Sequence, residues 1–149
     1  MRTIFDDTER ARLLRRLDAL GPDSRPRWGR MNASQMICHL TDAVESSFAA
    51  SPHTPAAGPL TWPPLKQLII YVLPWPRGKL QSPPDLLVTK PSTWTQDTAR
   101  FRQAVERVAA RGPSDRAWPA SDVFGPLSRH DWGALLRTHI NHHFRQFGV

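Results

Sequence analysis

At 149 residues with 40% apolar content, the chain suits one domain around a single core, and its one cysteine excludes an internal disulfide. The longest apolar run, from Leu68 to Leu73, is too short to span a bilayer and no hydrophobic signal region follows Met1, so a cytoplasmic protein with no membrane partner is expected. The net charge of +7 comes from scattered arginines with no RNP, zinc-finger or P-loop pattern, which argues against specific nucleic-acid recognition and for attraction to an anionic small molecule.

The first predicted helix runs from Asp7 to Leu20, with Asp6 or Asp7 as its cap. Leu13, Leu14, Leu17 and Leu20 form its apolar stripe, its arginines read as a solvated face, and Gly21-Pro22 stops it. A turn-rich connector follows, in which Trp28 reads as a packing anchor. The second helix starts at Asn32, with Gln35 in the capping-box position, and is expected to reach Ala50 before Ser51-Pro52. Met36, Leu40, Ala43, Val44, Ser47 and Phe48 make its inner face, with His39 at one edge. Cys38 points to another side and reads as a small buried side chain, not a nucleophile.

From Pro52 to Pro91 the chain is rich in proline. A short helix is expected from Pro64 to Leu73, with proline in its first turn, to pack on the bundle or at a dimer contact. Pro74-Trp75-Pro76-Arg77-Gly78 and Ser82-Pro83-Pro84 read as extended loop, and a loop of this length inside one domain suggests a lid or cover. The third main helix spans Trp94 to Ala110 with a stripe of Trp94, Phe101, Val105 and Val108, ending at Gly112-Pro113. A connector containing Trp118, Pro119 and Phe124-Gly125-Pro126 leads to the last helix, where Ser128 is the cap and Asp131 completes the box. No stretch alternates as a strand, so the expected class is all-α: a four-helix bundle whose long proline-rich crossover, between helices two and three, carries a short extra helix.

On the last helix Trp132, Leu135, Leu136, His139 and His143 share one face. Two histidines four residues apart lie about 5–6 Å from each other at Cβ, close enough for both imidazoles to address one atom. Such a pair suits a divalent metal, whereas the competing reading is core histidines bonded to polar neighbours. Ile140 stands where a metalloprotease helix would carry its glutamate base, so the pair brings ligands without a catalyst. The best third ligand is His39 on the second helix.

The run Met31-Asn32-Ala33-Ser34-Gln35-Met36-Ile37-Cys38-His39-Leu40, followed by His139, His142-His143 and Gln146, resembles the DinB-like four-helix-bundle superfamily over nearly the whole chain. A branch of bacterial proteins in that superfamily has a similar middle, here Pro74 to Lys79 with Pro83-Pro84, and a similar end, here Phe124 to Gly148. The resemblance implies that His39, His139 and His143 hold a divalent metal, commonly zinc or nickel. It gives His142 a surface or supporting role and lets Gln146 orient a ligand or a bound water. It also implies a frequently dimeric bundle. Some members are thiol-dependent transferases or isomerases that use a low-molecular-weight thiol.

Three protein ligands leave an open coordination position, the pattern of a catalytic site. Asp42 is the nearer candidate base and Glu45 the farther, each with a solvent-facing carboxylate as the competing reading. The leading expectation is therefore a metal-dependent thiol transferase or hydrolase acting on a small molecule. The alternative is a non-catalytic metal- or ligand-binding bundle that acts through dimerisation or a partner.

Overall fold

The computed structural model describes residues 2–48, 58–73, 75, 89–111 and 118–149. They form α1 (Asp7–Leu17), α2 (Ala33–Glu45), α3 (Pro63–Tyr71), α4 (Trp94–Ala109) and α5 (Arg129–Gln146), with a single 3-10 turn before α3. Among the described residues there is no strand, only an isolated antiparallel bridge between Ser121 and Gly125. The protein is all-helical, and the segment joining α2 to α4 carries α3.

The starts of the helices follow the local chemistry. Asp6 accepts from the amide of Glu9 to open α1, and Thr93 accepts from that of Gln96 to open α4. Asn32 with Gln35, and Ser128 with Asp131, form reciprocal capping boxes at α2 and α5. α3 has no side-chain cap and begins instead on Pro63-Pro64, whose missing N–H groups would be unsatisfied there anyway.

The ends come sooner than periodicity alone suggests. α1 stops at Leu17 instead of Leu20, because Asp18, Ala19 and Leu20 donate to the carbonyls three residues back and tighten the turn. α2 stops at Glu45 instead of Ala50. The hydroxyls of Ser46 and Ser47 bond the carbonyls of Ala43 and Val44, offering the backbone an alternative to another helical turn. The Gly112-Pro113 stop and the two extended prolyl stretches lie outside the described residues, apart from Trp75.

α5 is the hub: α1, α2 and α3 all pack against it, and α4 packs on α2. One apolar cluster joins Leu13 and Leu17 of α1, Met36, Ile37 and Leu40 of α2, Phe101 and Val105 of α4, and Leu136, Ile140 and Phe144 of α5. The chain before α1 lies on α5 through Ile4, whose amide donates to the carbonyl of Gly133 at 3.1 Å. A Cβ at Gly133 would stand 2.5 Å from the ring of Phe5, so only glycine allows this approach.

The arginines of α1 are not simply a solvated face. Glu9 is 2% exposed and accepts from Arg12 of its own helix and from Arg137 of α5. Arg16 donates to the side chain of Asn141 at 2.6 Å and to the carbonyl of Val149 at 2.7 Å. α3 buries Ile70 against the core and leaves Trp62, Leu68, Val72 and Leu73 along its outer side exposed. No described helix is long and apolar enough to cross a membrane.

Candidate metal centre

The packing of α2 on α5 brings His39 to His139 and His143. The Nε2 atom of His139 lies 3.0 Å from Nε2 of His39 and 3.1 Å from Nε2 of His143. The ring centroids form an equilateral triangle, each pair 4.9 Å apart, with the rings steeply inclined to one another. His39 is 1% and His143 8% exposed, and His139 is half-buried.

Hydrogen bonding alone does not account for this triangle. An imidazole nitrogen carries either one proton or one lone pair, so Nε2 of His139 makes one well-aligned N–H···N bond, not two. A single cation explains both contacts. Metal–imidazole bonds of about 2.0–2.1 Å with tetrahedral angles put neighbouring nitrogens about 3.3 Å apart. The triad is therefore a set of ligands with the right chemistry and close to the right spacing to hold an ion.

The protonation state of His143 follows from its neighbours. Gln146, one turn on, has its amide nitrogen 2.6 Å from the carbonyl of Trp28. A carbonyl only accepts, so the amide N–H must face it, and Oε1 must face His143. That oxygen lies 2.7 Å from Nδ1 of His143 and accepts a hydrogen bond from its N–H, which leaves the lone pair on Nε2, inside the triangle. Gly29 makes this contact possible: its φ is 82° and a Cβ there would lie 2.5 Å from the Gln146 amide nitrogen.

The electrostatics favour neutral rings. Burial, followed by the neighbouring imidazoles, holds His139 well below the ordinary imidazole range. Burial and then His39 push His143 down to about 3. A neutral imidazole is the form that ligates a metal.

Aromatic rings complete the surroundings. Trp75 lies over His139 at 5.3 Å and beside His142 at 5.9 Å, tethered by its indole N–H to the carbonyl of Ile69 on α3. Trp28 meets His142 edge-on at 6.1 Å. His142 thus sits between two indoles, outside the triangle but 5.2 Å from the ring of His143. Residue spacing gives Trp75 no role and makes Trp28 only a packing anchor. Neither a backbone carbonyl used as an acceptor nor an indole laid against an imidazole leaves a mark in residue spacing.

The other candidate residues are engaged elsewhere. Asp42 accepts from the amide and the hydroxyl of Thr89, at 3.0 and 2.5 Å, and so fastens the chain arriving at α4. Glu45 pairs with Arg100 at 2.9 Å. Cys38 is buried, and burial reinforced by Asp97 and Asp42 pushes its thiol up to about 11, which makes it a poor nucleophile. No family model, no curated protein and no solved structure matches this chain.

Proposed function

We propose that the chain is a divalent-metal protein of the DinB-like kind, a four-helix bundle in which His39, His139 and His143 hold zinc or nickel and which acts on a small molecule as a metal-dependent thiol transferase or hydrolase. The observation that carries the reading is the convergence of three imidazole nitrogens, two of them within 3.1 Å of the third. Three protein ligands leave room for an exogenous one, the arrangement of catalytic sites. A divalent ion there supplies Lewis acidity, lowering the pKa of a coordinated water or thiol toward neutrality. The chain's own part is to hold His139 and His143 neutral by burial, to fix the His143 tautomer through Gln146, and to cover His139 with Trp75.

One observation favours the second reading, a non-catalytic metal- or ligand-binding bundle. Both oxygens of Asp42, the nearer candidate base, are occupied by Thr89. A general base must reach the proton it removes, and Asp42 is committed to a structural contact.

Elemental analysis of protein purified without a histidine tag is the first test. About one zinc or nickel per chain is expected, and none in the variant with alanine at all three ligand positions. A folded wild-type chain that retains no divalent metal after exposure to excess would sink the enzyme and the metal-binding module alike, and leave only a metal-free ligand-binding bundle. Turnover of the loaded protein with a low-molecular-weight thiol and an electrophile, or with an ester panel, lost in His39→Ala, decides for the enzyme. Full metal occupancy with no turnover decides for the binding module.

A further inference from the structure

We infer that the cleft where the end of α5 meets the connector before α2 binds the anionic group, carboxylate or phosphate, of a small-molecule ligand. The cleft has a volume of about 400 Å³ and is lined by Arg27, Trp28, Arg145, Gly148 and Val149. Both guanidinium groups are exposed, and neither pairs with a carboxylate among the described residues. Arg145 also stands close enough to Arg16 for the like charges to disfavour each other, so positive charge is concentrated at this end of α5.

The end of a helix is electronegative, and that alone would repel an anion. Here the carbonyls are already engaged. The main-chain amide of Arg27 donates to the carbonyl of Gln146 at 2.7 Å, and Arg16 donates to that of Val149 at 2.7 Å. Arg27 gives one long contact of 3.4 Å to the carbonyl of Gly148, whereas a guanidinium has five N–H donors. What remains on offer in the cleft is therefore a set of unspent donors in the fork geometry that suits carboxylate and phosphate.

The cleft shares Trp28 with the surroundings of the histidine triad. Trp28, one of its walls, meets His142 with its ring and holds Gln146 with its carbonyl, and Gln146 holds His143. Arg145 and His142 are three residues apart and so share one side of α5. A ligand with its anionic end between Arg27 and Arg145 and its body extended past Trp28 would run toward His142 and the triad beyond it. This second step rests on the metal reading above; the anion site itself does not.

The test separates the two. Metal-free protein is titrated with inorganic phosphate at low salt by heteronuclear NMR, beside the double variant Arg27→Gln, Arg145→Gln. Saturable shifts centred on residues of the cleft are expected, with affinity falling roughly tenfold or more in the double variant while its melting profile stays unchanged. Equal binding by the two proteins, or no saturation in wild type, overturns the inference whether or not the triad takes metal. Zinc-loaded protein is then titrated with acetohydroxamate and with hydroxamates carrying a terminal carboxylate on chains of increasing length. One length is expected to bind about tenfold more tightly than acetohydroxamate, and to lose that advantage in the double variant. Duplex DNA that binds more tightly than phosphate through the same two arginines, with a steep salt dependence, would assign the cleft to a polyanion and overturn the small-molecule reading.

Discussion

Gln146 decides which nitrogen of His143 is free, and it can do so only because its own amide is held by the Trp28 carbonyl. Replacing Gln146 with leucine removes both bonds. Metal affinity, measured by chelator competition, is expected to fall about 10–100-fold, the usual cost of losing the group behind a ligand. The metal-free protein is expected to lose roughly 1 kcal/mol as well, because a part-buried carbonyl is left without its donor. His142→Ala is the contrasting case. It removes a ring that meets two indoles and stands beside His143 outside the triangle, so metal stoichiometry by elemental analysis should be unchanged. Loss of metal in His142→Ala with retention in His143→Ala would exchange their roles. At this scale the sequence announced the histidines through their four-residue spacing and placed Gln146 a turn beyond, where it could orient a ligand. It could not announce Trp28, since the group that matters there is a backbone oxygen every residue possesses.

Helix starts were legible and helix ends were not. Asn32 with Gln35 and Ser128 with Asp131 carry their caps in side chains, so four residues specify each start. The ends of α1 and α2 depend on which carbonyl an amide or a serine hydroxyl selects, a choice between near-equal local bonds. Glu9 shows the same limit in the packing of helix on helix. A lone glutamate among arginines reads as surface charge, yet it is buried and tied to Arg12 and Arg137, which lowers its pKa to about 2, first through the bond from Arg12. Glu9→Ala leaves Arg137 without its carboxylate at the contact of α1 with α5. The expected cost by chemical denaturation is roughly 2–3 kcal/mol, below the 3–5 of a fully buried pair because both arginines keep contact with water. Glu9→Gln, which retains an acceptor of similar shape, should lose less. A cost within error of zero for Glu9→Ala would show that the pairing does not help hold α1 in place.

For the molecule as a whole, the all-helical class and the crossover bearing α3 follow from periodicity and proline placement, but the meeting of His39 with His139, 100 residues apart, is a fact of packing. Periodicity assigns each histidine to a face; it does not say which faces oppose. Burying His139 and His143 beside each other makes the fold sensitive to acid, and the sign can be worked out. His143 has an ordinary value of 6.5 in the unfolded chain and about 3 in the folded one, so between these limits the unfolded state binds the extra proton. Stability is then full above about pH 6.5 and falls as the pH drops toward 3, reaching a loss of about 2 kcal/mol at pH 5 from His143 alone. Glu9, lowered from 4.5 to about 2, adds a further loss below about pH 4.5. A bound ion opposes the first effect, because it selects the neutral rings; at a hundredfold excess over its Kd it adds about 2.7 kcal/mol. For a domain of this size that corresponds to a rise in Tm of roughly 5–10 °C. Melting curves from pH 7.5 to 4.5, with and without saturating zinc, should therefore converge as acid displaces the ion, and the metal-free curve should become shallower in His143→Asn, with the share due to His139 remaining. A metal-free Tm that is level between pH 7 and 5 would mean that the rings protonate in the folded state without penalty, and with that the case for a dehydrated, ligand-ready triad would fall.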